Sequence, residues 1–185
     1  MQSLNDYNII LQWSSQDQKQ FRDIAIHNIL ATDMACHNDL VKDITSRTLK
    51  TPQPFDVSQE SERKCLYRIL LHSADLSNTV RPFYISQRIC SYIVEEFRNQ
   101  AKKEEERGLT VTSFMILPNE LSVAKAEIGF LQYVAKPYFR PQGLCFNAVT
   151  LVQEIENNID RWTERKNELE NQQEVHNSEN AGGGI

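Results

Sequence analysis

The feature that most constrains the fold of this chain is a row of apolar residues at every fourth position between Pro82 and Gly108. They are Ile85, Ile89, Ile93 and Phe97. This spacing places all of them on one face of an α-helix. Pro82 fits the first turn of that helix, where its missing N–H is not needed, and Gly108 fits the position just after its end. The sequence therefore predicts one long helix between these two residues.

Further helices are predicted on either side of it. Ser15 and Gln18 form a capping box at the start of the first, and Pro137 is expected to end the one that begins near Asn119. No segment alternates convincingly between apolar and polar residues as a β-strand does. We therefore expect an all-α fold, with additional helices at about 15–30, 34–48, 59–74, 119–136 and 149–169.

The first predicted helix is apolar around much of its circumference. Phe21, Ile24, Ile29 and Leu30 do not fall on one narrow stripe. A helix of this kind is usually buried between neighbouring elements. Some of its packing partners are therefore expected to lie outside this chain.

Composition indicates a water-soluble domain. The chain has 185 residues, 40% of them hydrophobic, which is enough for one domain with a core. A net charge of −5 without a clustered basic patch argues against nucleic acid or a membrane surface as a partner. No apolar run approaches the roughly 20 residues that span a bilayer, and the N-terminus does not resemble a signal peptide. We expect a cytoplasmic protein with a disordered tail at 171–185.

The stretch from Leu70 to Asn78 is the strongest candidate for chemistry. An apolar helix there runs into an acidic, hydroxyl-bearing turn, with His72 and Asp75 one helical turn apart. A carboxylate at the end of a helix lies near the negative end of the helix dipole, so a cation, a metal or several donors must compensate it. On spacing alone, a capped helix end with a hydrogen-bonded histidine remains the simpler interpretation.

The longer string HSADLSN at 72–78, followed by Pro82, resembles the H-x-A-D-L-S-N-x-x-x-P signature of the class I 3',5'-cyclic nucleotide phosphodiesterases. Three other segments resemble strings of the same family in the same order: 29–37 (L-A-T-D-M-x-x-H), 95–109 (E-F-x-x-Q-x-x-x-E-x-x-x-G) and 124–131 (K-x-Q-x-G-F-I). The resemblance runs from about 15 to 167. It implies the multi-helix, HD-type phosphodiesterase catalytic domain.

The resemblance also implies roles for individual residues. Asp75 would bind metal, and Asn78 would form a polar wall of the pocket. Ile93 and Phe130 would hold the purine from its two faces, which suits a flat aromatic base, although each taken alone is more typical of an ordinary core. The full set of implied substrate contacts is Met34, Asn78, Ile93, Met115, Glu127 and Phe130.

The family's reaction, hydrolysis of cyclic AMP or cyclic GMP to the 5'-monophosphate, implies two divalent metal ions, zinc and magnesium or manganese. Its other metal ligands lie in an H-N-x-x-H string and an H-D pair that normally precede the matched region. None of the four histidines here, His27, His37, His72 and His176, lies in such a string. We therefore interpret 1–170 as the C-terminal portion of a catalytic domain, assign no catalytic residue within it, and expect the N-terminal part or a partner to cover its faces.

Glu127 departs from the family, which has a purine-reading glutamine at this position. An ionised glutamate only accepts hydrogen bonds, whereas an amide both donates and accepts. Guanine offers two neighbouring donors and adenine only one. Glu127 is expected to be ionised unless burial raises its pKa. The sequence then predicts that a completed enzyme favours the guanine nucleotide or acts weakly on both, unless Glu127 points away and an adjacent side chain reads the base.

An alternative interpretation belongs to a different functional class. The chain would be a catalytically inactive, truncated helical protein that binds a partner through its exposed apolar faces. Metal binding and hydrolysis distinguish the two interpretations.

Overall fold

The computed structural model describes residues 9–182, and their side chains over 9–175. These residues form α-helices and short helical turns without a strand, as the sequence predicted. The chain separates into a first unit, Met1–Asp75, and a second unit, Leu76–Ile185. The helices are Ser15–Leu30 (α1), His37–Arg47 (α2), Glu60–Asp75 (α3), Phe83–Glu106 (α4), Glu120–Phe130 (α5), Lys136–Cys145 (α6) and Val149–Gly182 (α7).

In the first unit, α1 and α2 both pack against α3. Leu40 and Ile44 on α2 and Ile69 on α3 are completely buried. Leu40 and Ile44 are four residues apart and therefore share one face of their helix. Burial of such aliphatic side chains contributes about 1.5–3 kcal/mol each to stability, so these residues form the core that holds the end of α3 in place.

The first helix begins one residue earlier than the predicted capping box implies. Ser14, and not Ser15, is the N-cap, and its Oγ accepts a hydrogen bond from the backbone N–H of Asp17 at 3.1 Å. Serine at this position satisfies an N–H that the helix itself leaves without a partner.

The helix α1, which we predicted to be buried between neighbouring elements, remains exposed in the structure. No residue of α1 is buried within this chain. Ile26, Ile29 and Leu30 remain 57%, 63% and 65% exposed. The apolar face of α1 is therefore an exposed hydrophobic surface.

In the second unit, α5 and α6 pack against α7. Tyr138 and Phe139 on α6 and Ile155 on α7 are almost completely buried. Trp162 on α7 contacts the ring of Phe83 at the start of α4 in an edge-to-face arrangement, with 5.4 Å between ring centroids. These contacts fix α4 against α7.

Pro137 does not end a helix, which corrects the sequence prediction. A π-helical turn, Leu131–Ala135, joins α5 directly to α6, and Pro137 occupies the second position of α6. In the first turn of a helix a proline removes no hydrogen bond. Pro141 is tolerated inside the same helix.

The predicted disordered tail at 171–185 also differs from the structure, since α7 continues to Gly182. Charged side chains three or four residues apart support the exposed side of this helix just before that segment, as in the pairs Arg165–Glu168 and Lys166–Glu170. Residues 183–185 lie outside the described part of the chain. Within residues 9–182, no helix is long and apolar enough to cross a membrane.

Candidate functional site

Two histidines are in contact inside the first unit. His37 at the start of α2 and His72 near the end of α3 are buried, and 3.0 Å separates His37 Nδ1 from His72 Nε2. Burial lowers the pKa of His72, and the neighbouring His37 lowers it further, while Asp75 and the backbone of Ala31 act in the opposite direction. Burial therefore favours the neutral form of His72.

Asp75, the predicted metal ligand, is the last residue of α3 and is exposed. It lies one turn beyond His72, close enough to act on the pKa of that ring. Over the residues whose side chains are described, no three His, Cys, Asp or Glu side chains converge to hold a metal ion. The described side chains therefore do not by themselves form the metal centre that the family resemblance implies.

Met34, the other predicted site residue of the first unit, begins a short 3₁₀ turn, Met34–Cys36. The side chain of Asp33 caps this turn by accepting a hydrogen bond from the backbone N–H of Ala35 at 2.9 Å. Met34 is 46% exposed. The cap therefore holds the turn so that the apolar, flexible side chain of Met34 is partly exposed on the first unit.

Asn78 lies in the second unit, in the 3₁₀ turn Ser77–Val80, which packs against both α4 and α7. Asn158 on α7 is completely buried, and its Nδ2 donates hydrogen bonds to the backbone oxygens of Thr79 at 3.0 Å and Arg81 at 2.9 Å. A single amide thus fixes the backbone immediately after Asn78. No pattern along the sequence indicated this role for Asn158.

Met115 ends a short turn, Ser113–Met115, that is fastened to α4 by two contacts. The ring of Phe114 meets that of Phe97 at 5.6 Å between centroids. The guanidinium of Arg98 donates two hydrogen bonds to the carbonyl oxygen of Leu117, at 2.9 and 3.1 Å. These contacts hold the Met115 segment against the helix that carries Ile93.

Glu127 on α5 is half-buried, and its carboxyl group forms a hydrogen bond with the thiol of Cys90 on α4. Burial raises the pKa of Glu127, and the hydrogen bond from Cys90 partly opposes this rise. Burial also raises the pKa of the Cys90 thiol, and the nearby carboxylate raises it further, so the thiol stays protonated and donates. Sequence reasoning missed Cys90, although it lies three residues before Ile93 and so on the same face of α4.

Phe130 is half-buried at the last position of α5, three residues after Glu127. The π-helical turn begins at the next residue. Such turns are rare and occur frequently at functional sites, because they redirect the side chains around them.

Within the second unit, α4 is the element common to the predicted substrate contacts. It carries Ile93, and it contacts the turn that contains Asn78, the segment that contains Met115, and the side chain of Glu127. Met34 and Asp75 belong to the first unit.

A separate groove of about 650 Å³ runs along the polar side of α4. Its lining includes Tyr92, Glu96, Lys103 and Arg107 but none of the predicted substrate contacts.

Proteins of known activity resemble this chain over much of its length. The human protein "High affinity cGMP-specific 3',5'-cyclic phosphodiesterase 9A" is 33% identical over 150 residues, which are 80% of this chain and 24% of that protein. The human "Dual specificity calcium/calmodulin-dependent 3',5'-cyclic nucleotide phosphodiesterase 1C" is 27% identical over 139 residues, 75% of this chain and 18% of that protein. The chain thus spans about a quarter or less of the length of these relatives.

A solved structure covers nearly the whole chain. The crystal structure of the phosphodiesterase domain of Salpingoeca rosetta rhodopsin phosphodiesterase superimposes with a TM-score of 0.83 and 28% sequence identity, over 91% of this chain and 51% of that one. The family model for 3'5'-cyclic nucleotide phosphodiesterase matches residues 1–159. On these matches, the chain belongs to the 3',5'-cyclic nucleotide phosphodiesterase family.

Proposed function

We propose that this chain supplies substrate-binding residues of an enzyme that hydrolyses 3',5'-cyclic nucleotides to 5'-nucleoside monophosphates. The observation that carries the proposal is the grouping of predicted substrate contacts around one helix, α4, which carries Ile93 and contacts the Met115 segment and the side chain of Glu127. These are residues that the family resemblance assigns to base binding. The family itself is shown by the match over residues 1–159.

The chemistry of these side chains suits a purine base. Ile93 offers an aliphatic surface and Phe130 an aromatic face, and both are half-buried. A flat heterocycle is held well between two such surfaces, because it loses water on both faces. Asn78 and Glu127 provide polar groups that fix the orientation of a base within an otherwise apolar pocket.

The metal chemistry of the family is only partly represented here. We propose Asp75 as one ligand, because it is an exposed carboxylate at the end of a rigid helix. The described residues do not complete a metal site, so we derive no metal-dependent step from this chain. The completing ligands would come from the part of a phosphodiesterase domain that the chain does not span, since it covers 51% of the solved domain.

The same missing part provides a partner for α1. Its exposed side chains, Ile26, Ile29 and Leu30, form an apolar face that no element of the described chain covers to the point of burial. We propose that the remaining part of the domain packs there. We also propose that the complete enzyme is cytoplasmic and acts in signal transduction.

The test is hydrolysis of cyclic AMP and cyclic GMP by the chain alone and by the chain extended with its flanking coding sequence. We expect hydrolysis from the extended protein and little from the chain alone. Ile93→Ala should raise KM for both nucleotides, whereas Ile89→Ala, one turn away on α4, should leave KM nearly unchanged. A folded extended protein that binds a partner but neither binds nor hydrolyses cyclic nucleotides would support the non-catalytic alternative.

A further inference from the structure

We infer that the exposed face of α4 pairs in an antiparallel arrangement with the same face of α4 in a second copy of this chain. Four exposed residues form this face: Tyr92, Glu96, Asn99 and Lys103. Their spacing of four, three and four residues places them along one side of the helix, as in the seam of a coiled coil. The buried residues Cys90 and Val94 lie on the opposite side, towards the interior of the second unit. The seam is therefore free to contact another molecule.

Glu96 and Lys103 carry opposite charges that do not meet within one chain. Seven residues separate them, which is about 10 Å along the helix axis. The positions one turn from each on the side between them, Asn99 and Gln100, are neutral amides. Within the part of the chain whose side chains are described, neither Glu96 nor Lys103 forms an ion pair. Both charges are thus available to a partner.

Twofold pairing of two copies brings these charges together. In an antiparallel pair whose axis passes halfway between Glu96 and Lys103, Glu96 of each copy faces Lys103 of the other. A twofold interface repeats every contact, so two such ion pairs form at once. Tyr92 lies four residues before Glu96, and Arg107 lies four residues after Lys103. The guanidinium of one copy therefore reaches the tyrosine ring of the other, a favourable cation–π contact.

The surface around this seam is prepared for such a contact. A groove of about 650 Å³ runs along it, and its lining includes all four residues of the seam and Arg107. The Arg88 guanidinium donates a hydrogen bond to the Tyr92 hydroxyl at 3.0 Å, so the ring is already held in place. Charges of both signs distinguish this face from the apolar face of α1. They suit a reversible contact between copies better than the permanent core of a domain.

Charge reversal on the full chain tests the pairing and does not depend on the proposed hydrolysis. Self-association of the parent, of Glu96→Lys and of Lys103→Glu is measured by sedimentation over a wide range of concentration, with circular dichroism to check the fold. Each reversal places like charges in both symmetric contacts and should weaken self-association by about ten-fold or more. An equimolar mixture of the two variants should form a mixed dimer, because both contacts again join opposite charges. Added salt should weaken the parent dimer.

Matched controls are Glu105→Lys and Lys102→Glu, which make the same changes of net charge at exposed positions of α4 outside the groove. Each should associate as the parent does, and mixing them should give no tighter complex. The inference is overturned if the parent is a monomer at every concentration, or if the control mixture associates as strongly as the mixture of reversed variants. It is also overturned if neither Glu96→Lys nor Lys103→Glu weakens association, the result expected when copies meet through the apolar face of α1.

Discussion

His37 Nδ1 lies 3.0 Å from His72 Nε2, so one of these buried rings donates its hydrogen to the other. This arrangement requires that at least one of the two facing nitrogens carries no hydrogen. If both rings were cationic, the two facing nitrogens would each carry a hydrogen, and two donors would face each other. The pair therefore connects α2 to the end of α3, where Asp75 lies, only while it is not fully protonated.

Acidification should weaken the first unit through His72. The folded-state pKa of His72 is lowered from 6.5, chiefly by burial and then by His37. Above pH 6.5 both folded and unfolded states are neutral, and stability is unaffected. As pH falls below 6.5 the unfolded state binds the proton first, so the free energy of unfolding should decrease until the folded-state pKa is reached.

Urea unfolding at several pH values between 8 and 5 measures this effect. His72→Gln should flatten the decrease, whereas His27→Gln, an exposed histidine of α1, should not. A parent protein and His72→Gln variant with parallel pH profiles would contradict the prediction.

Glu127 should lower the free energy of unfolding as pH rises above 4.5, whereas His72 lowers it as pH falls below 6.5. Its folded-state pKa is raised from 4.5, first by burial, with Cys90 opposing. Below pH 4.5 both states are protonated, and the group has no effect. As pH rises through 4.5 the unfolded state ionises first, so stability decreases until the folded-state pKa is passed, by about 1.4 kcal/mol for each unit of difference. Glu127→Gln should therefore stabilise the second unit at pH 7 but not at pH 4, and the exposed Glu96→Gln should do neither.

Asn158 should be among the residues of the second unit least tolerant of substitution. It is completely buried and bonds two backbone oxygens of the Ser77–Arg81 segment. Asn158→Ala leaves those oxygens without their donor and should lower the free energy of unfolding by about 2–4 kcal/mol. Asn157→Ala, at the exposed neighbouring position on α7, should change it by less than about 0.5 kcal/mol. Equal losses for the two variants in denaturant unfolding would exclude a special role for Asn158.

The helices were predictable because periodicity along the chain reports directly on burial. The long helix between Pro82 and Gly108 is α4, Phe83–Glu106, and the stretch predicted at 59–74 is α3, Glu60–Asp75. The junction at Pro137 was not predictable in this way. A proline ends a helix only if its position requires an N–H, and the π-helical turn before α6 removes that requirement.

The spatial contacts of the candidate site were not predictable from the sequence either. The family resemblance predicted roles for Asp75, Ile93 and Glu127, because their positions can be read from the order of residues along the sequence. The contacts around the site come from distant positions, as Cys90 beside Glu127 and Asn158 beside the backbone of Thr79 show, and neither Cys90 nor Asn158 belongs to a recognisable string. The raised pKa of Glu127 depends on burial, which the sequence left open.

Asp75→Asn tests the proposed metal ligand. Asparagine keeps the shape of the side chain and removes its charge, so metal affinity should fall by about ten-fold or more in the extended protein. Helix content should stay the same, because Asp75 is exposed at the end of α3. Metal content measured after dialysis against limiting zinc or manganese, together with turnover, checks this outcome. Asp43→Asn, half-buried on α2 in the same unit, is a control for the loss of one carboxylate. Parent-like metal content in Asp75→Asn would reject the assignment.

Glu127 should make nucleotide preference depend on pH. Ionised Glu127 accepts two hydrogen bonds from the N1–H and amino group of guanine but faces the N1 lone pair of adenine, an unfavourable contact of about 1–3 kcal/mol. Protonated Glu127 can both donate and accept, and therefore suits adenine as the family's glutamine does. Burial raises the pKa of Glu127 above 4.5, so its protonated form persists to higher pH than in a solvent-exposed glutamate.

The ratio of kcat/KM for cyclic GMP to that for cyclic AMP should therefore rise with pH in the extended parent protein, as Glu127 ionises. In Glu127→Gln the ratio should be lower by about ten-fold at high pH, since the lost discrimination is worth at least one hydrogen bond, and it should not change with pH. Comparing the ratio between the two proteins at each pH removes effects that act on both nucleotides equally, such as protonation of metal ligands. If Glu127 points away from the base, the two proteins will show the same ratio at every pH, and the base would then have to be read by another side chain.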